Sequence, residues 1–434
     1  MEKISIFWFR RDLRLEDNTG LSKALKGDFP VLPLFIFDPN ILSELPKDDA
    51  RLSFIYNTIK KMRARLLKEN SSSIGIFYND PLEVFKELGQ NYDLQAVYTN
   101  TDYEPYARER DDGLASYLEN KGITFQTFKD QVIFEKDEVV KNDGDPYIVY
   151  TPYMKLWKKR FNETKPLQKE EEKPQLKNLI QDTTLPDLEL SDLGFVPSSI
   201  SIPEYNVSSS LIGNYEKTRN FPALEGTSHL GPHLRFGTVS IRQMVKKAIS
   251  EKNETFWNEL IWREFFMQIL WHFPHTTQEA FKKKYDRINW RNNEEEFEKW
   301  KKGETGYALV DAGMRELNTS GYMHNRVRML VASFLCKHLL IDWRWGEAYF
   351  AEKLLDYELS SNVGNWQWAA GSGVDAAPYF RIFNPMTQVE KFDKDRIYIK
   401  KWVPEIDSKD YVSKMVDHKE ARERCLETYK AALS

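Results

Sequence analysis

Short apolar runs alternate with longer amphipathic stretches over the first 130 residues. The runs are rich in β-branched and aromatic residues and occupy positions 4–9, 31–37, 74–78, 96–99 and 123–128. Between the second and third runs, apolar residues recur at spacings of three and four, which predicts one buried stripe along a crossover helix: Leu52, Ile55, Ile59, Met62 and Leu66. The alternation predicts an α/β domain over 1–130 with a five-stranded, doubly wound parallel sheet.

The pattern changes after residue 130. Residues 131–202 contain KNDGDPY, the charged run KEEEKP at 169–174 and a stretch rich in proline and serine, which together predict an interdomain connector. Beyond it the apolar spacing becomes helical, as in TFWNELIWREFFMQILWHF at 255–273 and YMHNRVRMLVASFLCKHLL at 322–340. We therefore expect an all-α domain over 203–434.

Composition and charge narrow the class of protein. The chain has 434 residues, of which 41% are hydrophobic and 29% charged, so a peptide or a disordered segment is excluded. Cysteine occurs only at 336 and 425, which excludes a disulfide scaffold and a cysteine-rich metal site. The net charge is -4, so nucleic-acid binding requires a local basic patch. With no long apolar run and charges throughout MEKISIFWFRRDLRLEDN, we expect a cytoplasmic protein without a membrane partner.

Common catalytic signatures are absent from the sequence. There is no GxxxxGK[ST] phosphate loop, no HExxH zinc helix and no GxSxG elbow, and no metal site is predicted. GSGVDA at 371–376 formally fits a dinucleotide fingerprint. It follows the tryptophan-rich WQWAA and not a β-strand, so this interpretation is not favoured.

The 255–273 helix carries one candidate group of side chains. Glu259, Trp262, Arg263 and Phe266 lie three to four residues apart, so a carboxylate, an indole and a guanidinium share one side of a largely apolar helix. A buried charge there needs a partner. The structural alternative is a Glu–Arg pair that helps two helices pack.

Two further groups have structural alternatives of the same kind. Asn325, Arg328 and Met329 line one face of the next long helix, which is a weak signal by itself. Trp366 and Trp368 precede the small residues of SGVDAAP, an arrangement that suits packing around a large flat group. A tryptophan cluster is nevertheless ordinarily part of a core.

Several longer motifs, in fixed order, resemble the photolyase and cryptochrome family. They are WFRRDLRLEDN at 8–18, EGTSHL at 225–230, NELIWREFF at 258–266, GYALVDAGMREL at 306–317, MHNRVRM at 323–329, IDWRWGEAYF at 341–350 and NWQWAAGSGVDAAPYFRIFNP at 365–385. The resemblance is strongest to the class I cyclobutane pyrimidine dimer photolyases. It implies a light-driven carbon–carbon lyase, a deoxyribodipyrimidine photo-lyase that acts on UV-damaged DNA as a monomer without a protein partner.

The resemblance also implies FAD as cofactor, held in a U-shaped conformation by the helical domain. The groups expected to bind it are Tyr215, Thr227, Ser228, His229, Leu230, Gly231, Phe256, Glu259, Arg263, Asn325, Arg328, Asp356, Glu358 and Asn362. Arg328 is expected to pair with Asp356. Asn362 is expected near the flavin nitrogen that gains or loses a proton, where an amide can form a hydrogen bond but cannot hand over a proton as a carboxylic acid would.

The same family pattern implies the repair pocket and the DNA contacts. The residues expected to act in catalysis are Glu259, Trp262, Asn325, Met329 and Asn362. The DNA-binding positions are Arg219, Glu259, Trp262, Asn325, Arg326, Met329, Trp368, Arg381 and Gln388. Relatives that repair (6-4) photoproducts carry histidine at the positions of Asn325 and Met329, so these two residues predict cyclobutane dimers as substrate.

Electron transfer, the antenna and the main rival function also follow from the resemblance. Trp366, Trp343 and Trp290, named in order from flavin to surface, match the family's electron route for photoreduction of the flavin. Tyr106 and Ala107 replace the Asn and Glu with which some bacterial relatives hold a folate antenna, which leaves a deazaflavin, a flavin or an empty pocket as alternatives. The rival function is a cryptochrome-type blue-light photoreceptor without repair activity.

Overall fold

The computed structural model describes residues 1–167 and 175–434, so the charged run at 169–174 lies outside the described residues. The chain forms two compact units, each assembled from three segments. The first comprises Met1–Glu138, Lys158–Glu204 and Leu230–Lys247, and the second comprises Val139–Trp157, Tyr205–His229 and Ala248–Ser434. The boundaries of these two units differ from the predicted domain ranges 1–130, 131–202 and 203–434. Those ranges remain a prediction about functional domains.

The first unit contains a five-stranded, fully parallel sheet. Its strands are β1 (Lys3–Phe9), β2 (Val31–Phe37), β3 (Gly75–Tyr78), β4 (Asp93–Asn100) and β5 (Thr124–Phe128). Their order in the sheet is β3-β2-β1-β4-β5. The connections contain α1 (Thr19–Ala24), α2 (Pro39–Leu42), α3 (Ala50–Asn70), α4 (Pro81–Asn91) and α5 (Pro105–Glu119). The predicted α/β fold is confirmed.

The central strand β1 supplies both faces of this sheet with core residues. Phe7 and Phe9 belong to one hydrophobic cluster, which also contains Leu52, Ile59, Met62 and Leu66 of α3. Ile4, Ile6 and Trp8 alternate with them and belong to a second cluster, with residues of α4 and α5. Because alternate side chains of a strand point to opposite faces, helices cover both faces of the sheet, as the doubly wound prediction requires.

The remaining helices belong mainly to the second unit. They are α6 (Tyr150–Thr164), α7 (Ser209–Thr218), α8 (Gly231–Arg235), α9 (Ile241–Ser250), α10 (Glu254–His272), α11 (Glu294–Lys302), α12 (Ala308–Ser320), α13 (Asn325–Ser333), α14 (Trp343–Lys353), α15 (Leu359–Ala370), α16 (Pro385–Phe392), α17 (Ile397–Trp402) and α18 (His418–Leu433). Of these, α8 lies in the first unit, and α6 and α9 run across the division. Within the described ranges, each helix is too short or too polar to cross a bilayer.

The two long helices predicted from apolar spacing have different outcomes. The 255–273 pattern corresponds to α10, which begins after Asn253, whose side chain accepts the Phe256 main-chain N–H at 2.8 Å. The 322–340 pattern does not form one regular helix. α13 gives way to a π-helical turn at Phe334–His338, which is buried throughout. An extra residue in one turn is invisible to a search for 3.6-residue spacing.

Both cysteines of the chain are free and buried. Cys336 lies in the π-helical turn and Cys425 in α18. Burial raises the pKa of the Cys336 thiol well above its usual range and that of Cys425 to about 11. Both side chains are therefore protonated at neutral pH.

A buried carboxylate joins two of the three segments of the first unit, Met1–Glu138 and Leu230–Lys247. Asp130 pairs with Arg14 of the loop after β1 at 2.6 Å and with Arg242 of α9 at 2.8 Å. It also accepts the Thr19 main-chain N–H at 3.1 Å. Burial acts to raise the pKa of Asp130, but the two guanidinium groups outweigh it and hold the pKa well below its usual range. The charged form is therefore the one that stabilises this unit.

We expect Asp130→Asn to lower the free energy of unfolding by about 3 kcal/mol at pH 7, because it leaves two buried guanidinium groups without their shared anion. The folded pKa of Asp130 is depressed, so the contribution of this group to stability is present above the unfolded pKa of about 3.9 and is lost as the pH falls below it. The difference in free energy of unfolding between wild type and variant should therefore become smaller as the pH is lowered from 5 to 3.

Urea unfolding at several pH values measures this difference. Asp112→Asn, a change at an exposed aspartate of α5, is the matched control and should leave stability within about 0.5 kcal/mol. A wild-type advantage of the same size at pH 7 and pH 3 would show that the Asp130 charge is not its source.

Candidate active site

Helix α10 is the central element of the candidate site. Its residues are buried from Glu264 to Leu270, while Glu259 and Trp262 on the preceding turns are half-buried and the Arg263 side chain is only 11% exposed. Phe256, near the start of the helix, is buried and meets the Tyr215 ring edge-on at 5.2 Å between centroids. Of the residues predicted on this helix, Glu259 and Trp262 therefore lie where it is partly accessible, whereas Phe256 and Phe266 are buried.

Each charged residue of that α10 surface pairs with another segment. Glu259 accepts a hydrogen bond from the Arg219 guanidinium at the end of α7. Arg263 approaches Glu358, at the start of α15, with 3.1 Å between Nε and a carboxylate oxygen. The structural alternative, an ion pair that joins packed helices, therefore applies to Arg263 and Glu358. Glu259 pairs with Arg219, which is predicted to bind DNA.

Arg328 and Asp356 form the expected ion pair. The two guanidinium nitrogens Nη1 and Nη2 donate to the two carboxylate oxygens at 3.0 and 2.9 Å, and Nε donates to the Met323 carbonyl at 2.7 Å. Burial would lower the pKa of Arg328, but Asp356 outweighs it and the pKa is raised. Arg328 is therefore a fixed cation in the second unit.

Asn362 is held by a residue that the sequence did not single out. Its Nδ2 donates to the carbonyl of Glu347 at 3.1 Å and to the Glu347 carboxyl at 2.9 Å. Burial raises the pKa of that carboxyl, against the opposing effect of this hydrogen bond. Because Nδ2 is engaged, the amide has its Oδ1 left to accept a hydrogen bond from another group.

The segment predicted to hold the pyrophosphate contains an unusual backbone and an orphan polar atom. His229 has a φ of 51°, and its Nδ1 is buried with no hydrogen-bond partner in the described part of the chain. The Thr227 hydroxyl lies 3.1 Å from the Tyr322 hydroxyl, and the Ser228 carbonyl accepts the Asn206 N–H at 2.8 Å.

These groups fit the phosphate oxygens of FAD. The hydroxyl groups of this segment and the His229 Nδ1, which has no partner in the described residues, are suitable donors for an anion. Tyr215 and Phe256 supply aromatic rings in the same unit. The next two residues predicted for FAD, Leu230 and Gly231, belong to the first unit. The chemistry of the second-unit donors therefore agrees with the expected cofactor.

The start of α13 presents the other predicted pocket residues. Asn325 is exposed and Met329 is half-buried, one helical turn apart. His324 precedes them as the N-cap, and its Nδ1 accepts the Arg326 main-chain N–H at 3.1 Å. Arg326 donates to the Asn220 side chain and to the Met329 sulfur, which fixes its guanidinium beside the pocket.

Two predicted phosphate-binding arginines, Arg219 and Arg381, lie close enough to a third, Arg326, for their charges to act on it. Burial lowers the pKa of Arg326, and so do the charges of Arg219 and Arg381. Arg381 is exposed and Arg326 is half-buried against the Phe392 ring. The two remaining residues predicted to bind DNA, Trp368 in α15 and Gln388 in α16, are half-buried. The chain thus has the local basic patch that its net charge of -4 does not reveal.

The predicted electron route consists of two buried tryptophans and one that is partly buried. Trp366 and Trp343 are each 2% exposed, and Trp290 packs at the edge of the core. Trp366 contacts the rings of Phe350 at 4.9 Å and Trp300 at 6.2 Å between centroids. Gly346 of α14 makes room for it, because a Cβ there would overlap the Trp366 ring.

Tyr106 and Ala107, the two residues that depart from the folate pattern, lie in α5 of the first unit. The Tyr106 hydroxyl donates to the Asp38 carboxylate at 2.6 Å, and Ala107 is buried. Burial raises the pKa of Tyr106 to about 12, and the Asp38 contact adds to the effect. This position is therefore part of an internal hydrogen bond in the described structure.

Sequence reasoning missed three residues of the site. Tyr150 fell inside the predicted connector, and Glu347 and His324 stood within quoted motifs without an assigned role. Motif membership was a usable signal for Glu347 and His324. For Tyr150 the local sequence gave none, because its contact with Trp262 joins positions more than a hundred residues apart.

Comparisons with known proteins agree with this arrangement. Residues 5–174 match the family model described as DNA photolyase, and residues 256–409 match that of the FAD binding domain of DNA photolyase. The deoxyribodipyrimidine photo-lyase of Halobacterium salinarum is 37% identical over 93% of this chain and 89% of that protein.

Two solved structures have the same fold over almost the whole chain. A class III photolyase from Agrobacterium tumefaciens superposes with a TM-score of 0.86 at 32% identity, covering 100% of this chain and 98% of that one. A cryptochrome from Synechocystis gives 0.83 at 25% identity, covering 98% and 99%. The chain therefore belongs to the photolyase/cryptochrome family, as an FAD-binding enzyme of the deoxyribodipyrimidine photo-lyase class.

Proposed function

We propose that the protein repairs cyclobutane pyrimidine dimers in UV-damaged DNA, using light. The observation that carries this proposal is the juxtaposition, in one unit, of Trp262 and Glu259 on α10 with the basic patch formed by Arg219, Arg326 and Arg381. The patch attracts the phosphates on either side of a lesion, and the indole and carboxylate suit a pyrimidine that has left the duplex. The expected partner is therefore damaged DNA.

Each pocket residue has a role that its chemistry supports. Trp262 offers ring surface to the lesion, and Glu259 accepts from a pyrimidine N–H once DNA has drawn Arg219 toward a phosphate. Asn325 and Met329 complete the wall, one as an amide and the other as an apolar thioether. Neither residue can act as the protonated imidazole expected for (6-4) repair, which favours cyclobutane dimers.

The cofactor site is proposed from the same unit. FAD, when bound in its reduced form, supplies the light-driven electron for dimer splitting. Arg328, paired with Asp356, would hold a fixed positive charge near it, and Arg263 a second one. Asn362, oriented by Glu347, would offer Oδ1 as a hydrogen-bond acceptor, with no carboxylic acid at this position to deliver a proton.

We further propose that Trp366, Trp343 and Trp290 relay electrons inward, because indole oxidises more readily than aliphatic core residues.

A second chromophore is expected to be a deazaflavin or a flavin if one is present, since Tyr106 and Ala107 lack the folate-binding groups. We expect a monomer in the cytoplasm. The two free, buried cysteines agree with a reducing compartment. The rival function, a photoreceptor without repair, predicts a bound flavin but no change in dimer-containing DNA.

Repair of one thymine dimer tests the proposal directly. Purified, chemically reduced protein is incubated with an oligonucleotide that carries the dimer, under near-UV light and in darkness. We expect intact thymines to appear only in the light. Bound FAD with no repaired thymine would instead favour the photoreceptor.

Trp262→Ala should weaken binding of dimer-containing DNA by about 10- to 100-fold, because one aromatic stack on a base contributes about 1–3 kcal/mol. FAD content should stay near that of wild type, since Trp262 is assigned to the lesion. Trp262→Phe retains a ring, so its affinity for dimer-containing DNA should lie between that of wild type and that of Trp262→Ala. Affinity is measured in the dark by fluorescence anisotropy, and loss of FAD from Trp262→Ala would contradict the assignment.

Trp366→Phe should slow photoreduction of the oxidised, FAD-containing protein by about tenfold or more, because phenylalanine is a poorer electron donor than indole. Repair by protein that has already been reduced chemically should be unchanged. Trp345→Phe, on the neighbouring α14 but outside the proposed relay, is the control and should photoreduce like wild type. Equal loss of photoreduction and repair in Trp366→Phe would argue against a relay role.

A further inference from the structure

Tyr150 lies flat against the indole of Trp262. The two ring centroids are 3.6 Å apart and the planes differ by 7°. Tyr150 is the first residue of α6 and is 7% exposed, although it was assigned to a connector on sequence grounds. Most aromatic pairs in proteins have centroids about 4.5–7 Å apart. This pair is closer and parallel, so one face of the Trp262 indole is covered.

A polar contact fixes the Tyr150 ring in this place. Its hydroxyl donates to the carbonyl of Asn258 at 2.9 Å, one turn before Trp262 on α10. Burial raises the pKa of the nearby Asp375 carboxyl, and the Tyr150 main-chain N–H acts against this effect. The hydroxyl end of Tyr150 is therefore tied to the helix that carries Trp262.

Neighbouring rings limit the Trp262 indole on other sides. Phe265 meets it edge-on at 5.6 Å, and Phe266 lies at 5.6 Å with a 28° tilt. Phe265 also meets the Tyr150 ring edge-on at 5.8 Å. Rotation of the indole about its side-chain bonds would break the parallel contact with Tyr150. The orientation of Trp262 thus depends on a residue from another helix.

We propose that Tyr150 is a positioning residue for the lesion: it holds the Trp262 indole plane so that the uncovered indole surface meets the flipped pyrimidine dimer. The inference rests on the proposed function and adds a residue to the pocket. Its physical basis is preorganisation, since an indole that is already fixed loses less side-chain freedom when the lesion binds.

A different role for Tyr150 predicts the opposite result. If the Tyr150 ring occupies the place of the lesion, it must leave before DNA binds, and its removal should strengthen binding. If it positions Trp262, its removal should weaken binding of the dimer. The two roles are therefore separated by the sign of one measured change.

The experiment compares dark binding by the full-length, FAD-loaded and chemically reduced protein to two duplexes, one with a single thymine dimer and one undamaged. Tyr150→Ala should bind the dimer duplex about three- to tenfold more weakly, the cost of ordering one large side chain, with unchanged affinity for undamaged DNA. Tyr150→Phe keeps the ring and should stay within about twofold of wild type. Tyr147→Ala, at a partly exposed tyrosine of the same segment, is the matched control.

Tyr150→Leu guards against a failure of the alanine variant to fold, because it keeps apolar volume but lacks a flat face; it should show the same selective loss. FAD content and thermal midpoint are measured alongside. Stronger dimer binding by Tyr150→Ala, unchanged dimer binding, or an equal loss for both duplexes would each overturn the positioning role. A wild-type protein that does not prefer the dimer duplex would overturn the proposed function itself, which is a distinct result.

Discussion

Charged groups on a buried helix require partners, and the second unit is arranged around that requirement at α10. The helix is largely enclosed by apolar side chains, yet it carries Glu259, Arg263 and Glu264. Each meets a group from a different segment: Arg219 of α7, Glu358 at α15, and the Trp157 indole N–H of α6. At the enclosed positions of Arg263 and Glu264, an isolated charge would cost several kcal/mol. The pairing therefore determines which segments can surround α10.

The same requirement separates structural pairs from functional ones. Arg263 and Glu358 are almost fully enclosed, with side chains 11% and 7% exposed, so their pair is permanent in this fold. Arg219 and Glu259 are more accessible, at 27% and 36%. A partly solvated ion pair contributes little to stability and is readily exchanged for another partner. This difference in exposure is what the proposed exchange of Arg219 and Glu259 onto DNA requires, with Arg263 kept in its pair with Glu358.

Local sequence patterns were sufficient for the sheet and for single helices. The five β-rich runs agree with the strands to within a few residues, because a buried parallel strand is an uninterrupted apolar run. They failed where the geometry departs from a regular period, as at the π-helical turn of Phe334–His338. They also could not find partners distant in sequence. The Tyr150 contact with Trp262, the Glu347 contact with Asn362 and the Arg242 contact with Asp130 each depend on the tertiary fold.

Family motifs supplied most of the candidate site, and they did so through residue identity rather than period. The structure adds which of those residues are fixed and by what, for example the bidentate pairing of Arg328 with Asp356. Motifs do not report such restraints, because a restraint can come from any residue of suitable chemistry. Tyr150 illustrates the point, since its ring and its hydroxyl make contacts but its surroundings carry no motif.

The burial of both cysteines has a practical consequence for spectroscopy of this protein. Thiolates, not thiols, react with maleimides and similar labels, and the two native thiols are enclosed and protonated. A single cysteine introduced on the surface would then be the reactive site, with no need to remove the native pair from the core. Fluorophores or spin labels could be placed on either unit in an otherwise unaltered chain.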